Sequence, residues 1–198
     1  MIRNIASVYD EFLGISTEME ENDSQPNRSI YIRYVPTDYM FIEKLFNKYP
    51  FDENDHFVDF GCGKGRVLIM SAYYSCKHIT GYELSEDRYK ILQMNVKNFQ
   101  VKFNNTSIFS LFKCNVENVV IDDTANKFFF YEPFHLKVYI RVMKAIQNSL
   151  QRNKRNIYFF LYKPFESTVK YMDSFNRFKK IDILDDNSQS YLYHLHFE

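Results

Sequence analysis

The sequence predicts an α/β domain: a doubly wound, seven-stranded, mostly parallel sheet with an antiparallel C-terminal hairpin strand. Three observations carry this. Apolar, β-branched and aromatic runs of strand length alternate with segments of helical periodicity, the pattern of parallel strands joined by crossover helices. Three of the five glycines, Gly61, Gly63 and Gly65, stand within five positions directly behind the first central run, HFVDF. The last two runs, RFKKIDIL and QSYLYHLHF, are joined by a turn at DDNSQ that suits an antiparallel hairpin.

The elements follow in order. Ile5, Val8, Tyr9, Phe12 and Leu13 recur at helical spacing and predict an amphipathic helix. STEMEENDSQPNR, which follows, is polar and acidic with no apolar stripe. Residues 1–30 therefore read as a helix and acidic linker ahead of a main domain over 31–198. Pro36 favours an extended approach to the next helix, Thr37 is its expected N-cap, and Met40, Phe41, Leu45 and Phe46 form its buried face. HFVDF, at about 56–60, leads through the glycines into a helix at RVLIMSAYY. The second strand, HITGY, ends at Glu83. Ser85 then caps a helix whose first turn carries Glu86 and Asp87, the sign its positive end prefers. Strands three and four lie in SIFSLFKC and KFFFY, and the next helix lines up Leu136, Ile140, Met143, Ile146 and Leu150. NIYFFLY is the fifth strand, with a short helix near 167–175 before the hairpin.

A chain of 198 residues, 45% hydrophobic, is long enough for one domain with a sizeable core. Lys plus Arg (25) equals Asp plus Glu (25), so the formal charge is zero. Proteins that live on a phosphate backbone usually carry a clear positive excess, and the balance argues against a nucleic-acid partner. Cys62, Cys76 and Cys114 are odd in number and lack CxxC spacing, which argues against a disulfide framework or a cysteine-rich zinc site. His194 and His196 share a strand face but have no third ligand in sequence reach, so no metal is expected. No apolar core of a signal peptide and no run of ~18 apolar residues is present, so a cytoplasmic protein with no membrane partner is expected.

The glycine cluster carries the chemistry. Open parallel sheets bind ligands beyond the carboxyl ends of their strands, and the turn after the first strand is the usual contact. Glycines there let the backbone take positive φ and approach a ligand closely. The following helix N-terminus offers unpaired N–H groups to an anionic end. Glu83, 18 residues past Gly65 at the end of the second strand, is placed to accept hydrogen bonds from both ribose hydroxyls. A dinucleotide site needs G-x-G-x-x-G, whereas Gly61-Cys62-Gly63-Lys64-Gly65 is one residue short and follows an acidic Asp59.

VDFGCGKGR resembles motif I of class I S-adenosylmethionine-dependent methyltransferases: an acidic residue, then G-x-G-x-G. The resemblance runs from about residue 31 to 198 and implies a Rossmann-like fold, S-adenosylmethionine as cofactor and methyl transfer as activity. It implies cofactor contacts at Asp59, Gly61, Cys62, Gly63, Gly65, Glu83 and Leu84. After the third strand it places Asn115 by the adenine, with Val116 packing on the ring and Glu117 as a substitute acceptor. Tyr131-Glu132-Pro133-Phe134 stands where the family places its catalytic loop. Members acting on exocyclic base amines typically show Asn/Asp-Pro-Pro-aromatic there; this loop lacks the amide and one proline, which again points away from nucleic acid. The expected acceptor is a small molecule or a protein side chain such as a lysine amine. Glu132 is its candidate base, with Tyr34, Thr37, Tyr39, Tyr131, Pro133 and Phe134 walling the pocket. Plainer readings stand beside these. Asp59 either meets ligand or only hydrogen-bonds the loop backbone, Glu132 either catalyses or fixes its loop, and Asn115 and Glu117 serve either the adenine or the turn. A non-catalytic cofactor-binding domain and a nicotinamide-dependent oxidoreductase are the competing functions.

Overall fold

The computed structural model describes residues 4–19, 34–131, 134–185 and 189–196. Glu132 and Pro133, the predicted base and its neighbour, lie outside the described residues, as does most of the acidic linker. The elements are α1 (Ile5–Leu13), α2 (Tyr39–Lys48), β1 (His56–Phe60), α3 (Arg66–Tyr73), β2 (His78–Glu83), α4 (Glu86–Phe103) and β3 (Ile108–Lys113). After a short 3-10 turn come β4 (Lys127–Phe130), α5 (Leu136–Arg152), β5 (Ile157–Leu161), α6 (Glu166–Asp173), β6 (Lys179–Asp185) and β7 (Ser190–Leu195).

All seven strands join one sheet in the order β3-β2-β1-β4-β5-β7-β6. β1 to β5 run parallel, while β7 is antiparallel to both β5 and β6. The chain winds outward from β1 to β3, then returns to place β4 on the other side of β1. The switch in strand order therefore lies between β1 and β4, where a ligand crevice opens at the carboxyl ends.

The central strands are apolar on both faces, as a sheet covered by helices on both sides requires. Phe57, Ile79, Phe129 and Phe160 point into a layer completed by α2, α3 and α4. Val58, Phe60, Phe128, Phe130 and Phe159 point the other way, against Tyr139, Met143 and Ile146 of α5 and Met172 of α6. Two-residue alternation sends successive side chains to opposite layers.

Local details differ from expectation. In α1 the predicted apolar face is largely exposed at Ile5, Val8 and Phe12, whereas Asp10 and Leu13 are buried. Hydrophobic periodicity fails here because Asp10 has buried polar partners, which no spacing rule registers. Asp38, not Thr37, caps α2: its carboxylate accepts from the Phe41 N–H at 3.1 Å. The Thr37 carbonyl instead accepts from Arg66 Nη1 at 2.8 Å, which fixes it outside the helix. Met40 is exposed, and Ile42 takes its place in the buried face. Ser85 does cap α4, accepting from the Arg88 N–H at 3.4 Å.

Candidate active site

A cleft opens at the carboxyl ends of β1, β2 and β4, with an empty volume of about 970 Å³ including its open mouth. Of the residues singled out from sequence, Asp59, Gly61, Cys62, Glu83, Leu84 and Val116 line it, with Tyr34, Thr37, Tyr131 and Phe134.

The glycine loop forms its floor. Gly61 and Cys62 both donate N–H to the Tyr82 carbonyl, at 2.8 and 3.0 Å, tying the loop to β2. Gly63 (φ 57°) and Gly65 (φ 92°) lie in the left-handed region. A Cβ at Gly63 would meet the Tyr34 ring at 2.4 Å, and one at Gly65 would meet Leu92 at 2.4 Å. Both glycines are therefore required twice, by conformation and by space. They shape the loop without lining the cleft, and Tyr34 lies across it.

Glu83, 4% exposed, is held by three donors. Its Oε2 accepts from the Gly63 N–H at 2.9 Å; its Oε1 accepts from the Ser85 N–H at 2.7 Å and from Arg88 Nε at 3.1 Å. The carboxylate thus joins the loop to the end of β2 at the edge of the cleft. Asp59 is also 4% exposed, but among the described residues no donor bonds it. Burial, reinforced by the Glu83 charge, pushes its carboxyl well above the usual carboxylate range. The reading in which Asp59 merely fixes the loop backbone has no bond to support it. A buried carboxylate without a donor, facing a cleft, suits a cationic ligand group. Burial likewise pushes the Cys62 thiol up, which leaves it a packing residue rather than a nucleophile.

Other residues are placed differently. Asn115 is exposed and does not line the cleft. Its Oδ1 accepts from the Glu117 N–H at 2.9 Å, the plainer turn role considered from sequence. Tyr39 is buried behind the cleft wall, bonded to Asp10 and stacked 4.2 Å beneath the Arg66 guanidinium. At the far end Tyr131 packs edge-on to Tyr162 at 4.6 Å, and Phe134 packs edge-on to Phe130 at 6.3 Å. Sequence reasoning passed over Arg66, Arg88 and Cys114, all of which line the cleft. Arg66 did leave a signal: a cation in the first turn of a helix opposes the helix dipole and calls for a specific reason.

Sheet order, glycine loop and acidic strand end together define a class I S-adenosylmethionine-dependent methyltransferase, with S-adenosylmethionine as its cofactor. The chain belongs to the family described as histone methylation protein DOT1, whose model matches residues 29–127, half of its length. Among solved structures it is similar to a human methyltransferase 10 domain containing protein (TM-score 0.60, 13% identity, covering 97% of this chain and 94% of that one). It is similar also to an RNA methyltransferase from Salinibacter ruber in complex with S-adenosyl-L-homocysteine (0.57, 17%, 81% and 92%). A third is the N-terminal domain of human METTL16 in complex with the same compound (0.57, 13%, 97% and 79%). At these identities the likeness is one of fold. No curated protein matches in sequence. The G-x-G-x-G spacing and these matches leave no support for a nicotinamide-dependent oxidoreductase. Among the described residues no helix is long and apolar enough to cross a membrane, and no group of three His, Cys, Asp or Glu is placed to hold a metal.

Proposed function

We propose that the enzyme methylates an amine of a protein side chain, with lysine the simplest fit and Glu132 taking the amine's proton. The observation that supports this best is the apolar and aromatic part of the cleft lining, from Val35, Pro36, Tyr131 and Phe134. Such a lining disfavours an ammonium and favours the neutral, nucleophilic amine. The zero net charge and the family's description as histone methylation proteins agree with a protein acceptor.

S-adenosylmethionine supplies a methyl group already activated by its sulfonium, so the protein's part is positioning, exclusion of water and proton removal. Glu83 would hold the ribose hydroxyls, Val116 would pack on the adenine, and Asp59 would face the cationic methionine end. The amine nitrogen would form its new N–C bond as the cofactor's carbon–sulfur bond to the methyl group breaks, leaving S-adenosylhomocysteine, and Glu132 would take the amine's proton and pass it to water.

A second reading, a nucleobase acceptor, has its own observation. The aromatic rings of this lining could stack a flat base, and similar structures include the Salinibacter ruber RNA methyltransferase and a Pyrococcus abyssi tRNA methyltransferase. Methyl-labelled S-adenosylmethionine, offered with core histones, soluble protein extract and total RNA in parallel, separates the two. Label recovered as methyl-lysine is expected; label confined to RNA overturns the protein reading and sustains the other. Glu132→Gln should lower turnover roughly 10²- to 10⁴-fold, the usual contribution of a positioned base, with cofactor affinity unchanged.

A further inference from the structure

Five of the six backbone polar groups of the short segment Ser16–Glu18 are spent on the cofactor loop or on residues that brace it. The Ser16 N–H donates to Asn95 Oδ1, and Asn95 Nδ2 donates back to the Ser16 carbonyl, both at 2.9 Å. The same Nδ2 donates to the Lys64 carbonyl, inside the glycine loop, at 2.8 Å. The Thr17 carbonyl accepts from the hydroxyl of Tyr34 at 2.7 Å, the ring that lies over Gly63. The Glu18 carbonyl accepts from Lys64 Nζ at 2.9 Å.

Thr17 is the centre of this arrangement and is fully buried. Its hydroxyl donates to Asp10 Oδ1 at 2.7 Å and accepts from Arg66 Nε at 2.7 Å; its N–H donates to Asp10 Oδ2 at 2.5 Å. Arg66 is the first residue of α3, directly after Gly65. Its Nη1 reaches the Thr37 carbonyl at 2.8 Å, and its Nη2 lies 4.0 Å from Asp10. Asp10, Thr17 and Arg66 thus form a buried chain from α1 to the helix start that closes the glycine loop.

A loop with three positive-φ glycines is costly to hold in one conformation, because glycine loses the most freedom on ordering. The described contacts that restrain it from outside come from β2 with Glu83, from Asn95 and Leu92 of α4, and from this segment. We propose that Ser16–Glu18 is a strap that fixes the glycine loop in its cofactor-binding form, with Thr17 as its main positioning residue. The proposal rests on the assignment of the cleft to S-adenosylmethionine and is independent of the acceptor. Thr17 touches no cofactor; it acts through Arg66, Tyr34 and the loop.

The test is calorimetric titration of S-adenosylmethionine and S-adenosylhomocysteine into folded wild type, Thr17→Val, Thr17→Ser and Tyr34→Phe, well below each melting temperature. Thr17→Val keeps the shape and removes both hydroxyl bonds, and should weaken binding of both compounds at least tenfold. Thr17→Ser should restore affinity to within threefold of wild type. Tyr34→Phe keeps the ring over Gly63, removes the hydroxyl's bond to the strap, and should weaken binding three- to fivefold. It stands as the test if Thr17→Val fails to fold. A folded Thr17→Val or Tyr34→Phe that melts lower but binds as wild type would make the segment merely structural and overturn the proposal. Wild type that binds neither compound would instead overturn the cofactor assignment.

Discussion

At the amino end of β1, Asp55 is buried among donors. Lys127 Nζ lies 2.6 Å away, Asn126 Nδ2 donates at 3.0 Å and the Asp52 N–H at 2.8 Å. Beside it His56 bonds Thr124 and Thr80 through its two ring nitrogens, each at 2.8 Å. At the carboxyl end of the same strand Asp59 is as deeply buried, yet among the described residues no donor reaches it. Asp55, just before the strand, and Asp59, within it, are thus two buried carboxylates in opposite condition. Buried polar groups are normally satisfied; Asp55 meets protein donors and reads as structure, whereas Asp59 faces the cleft. The sequence, HFVDF with acids near both ends, does not separate them; the neighbours do.

The comparison can be broken at either end. The largest effect is expected from Lys127→Met. Removing one partner of a buried ion pair leaves an uncompensated charge, so denaturant unfolding should show a loss of about 3–5 kcal/mol. Cofactor affinity of the protein that remains folded should not change, since Lys127 sits at the far end of the sheet. Next is Glu83→Ala, which removes the charged acceptor of the Gly63 N–H and the group proposed to hold the ribose. Calorimetry should show roughly 1.5–3 kcal/mol of lost S-adenosylmethionine binding, the range for hydrogen bonds to charged groups. Affinity unchanged by this substitution would remove Glu83 from the cofactor site.

The smallest and sharpest test is Asp59→Asn. Burial and the Glu83 charge raise the Asp59 carboxyl above its unfolded value, so the folded state binds its proton more tightly. Its contribution to stability is therefore full at pH below about 4, the unfolded carboxylate value. It is lost as pH rises through the elevated folded value. Above that folded value the ionised group costs stability. Asp59→Asn should then raise the melting temperature of the cofactor-free protein by a few degrees. It should also flatten the stability–pH curve and weaken S-adenosylmethionine binding. For wild type, affinity for the cationic cofactor should fall as pH drops and Asp59 takes up its proton. A lower melting temperature for Asp59→Asn would mean that the carboxylate is a structural anchor, like Asp55.

Much of the cofactor half of the cleft was legible from residue order. Gly61, Gly63 and Gly65 announce a tight loop because few other residues tolerate those dihedrals, and Glu83 follows at the end of the next strand. The strap was not legible. Thr17 and Asp10 are polar residues next to an acidic linker, and polarity there reads as solvation. Their burial depends on Arg66 and Tyr39, distant in sequence, meeting them in space. Asn115 was misplaced for the related reason that a local Asx turn competes for the same side chain.

The sequence by itself determined the alternation of strands and helices, the hairpin close and the glycine loop with its acidic partner. Each of these is written in local periodicity, or in residues that tolerate special backbone angles. Only the tertiary structure decided which buried carboxylate has donors, which face of α1 is inside, and what holds the glycine loop still. Those are matters of which polar groups meet across the sheet and its helices, and pairing between distant residues leaves no mark on the spacing of either one.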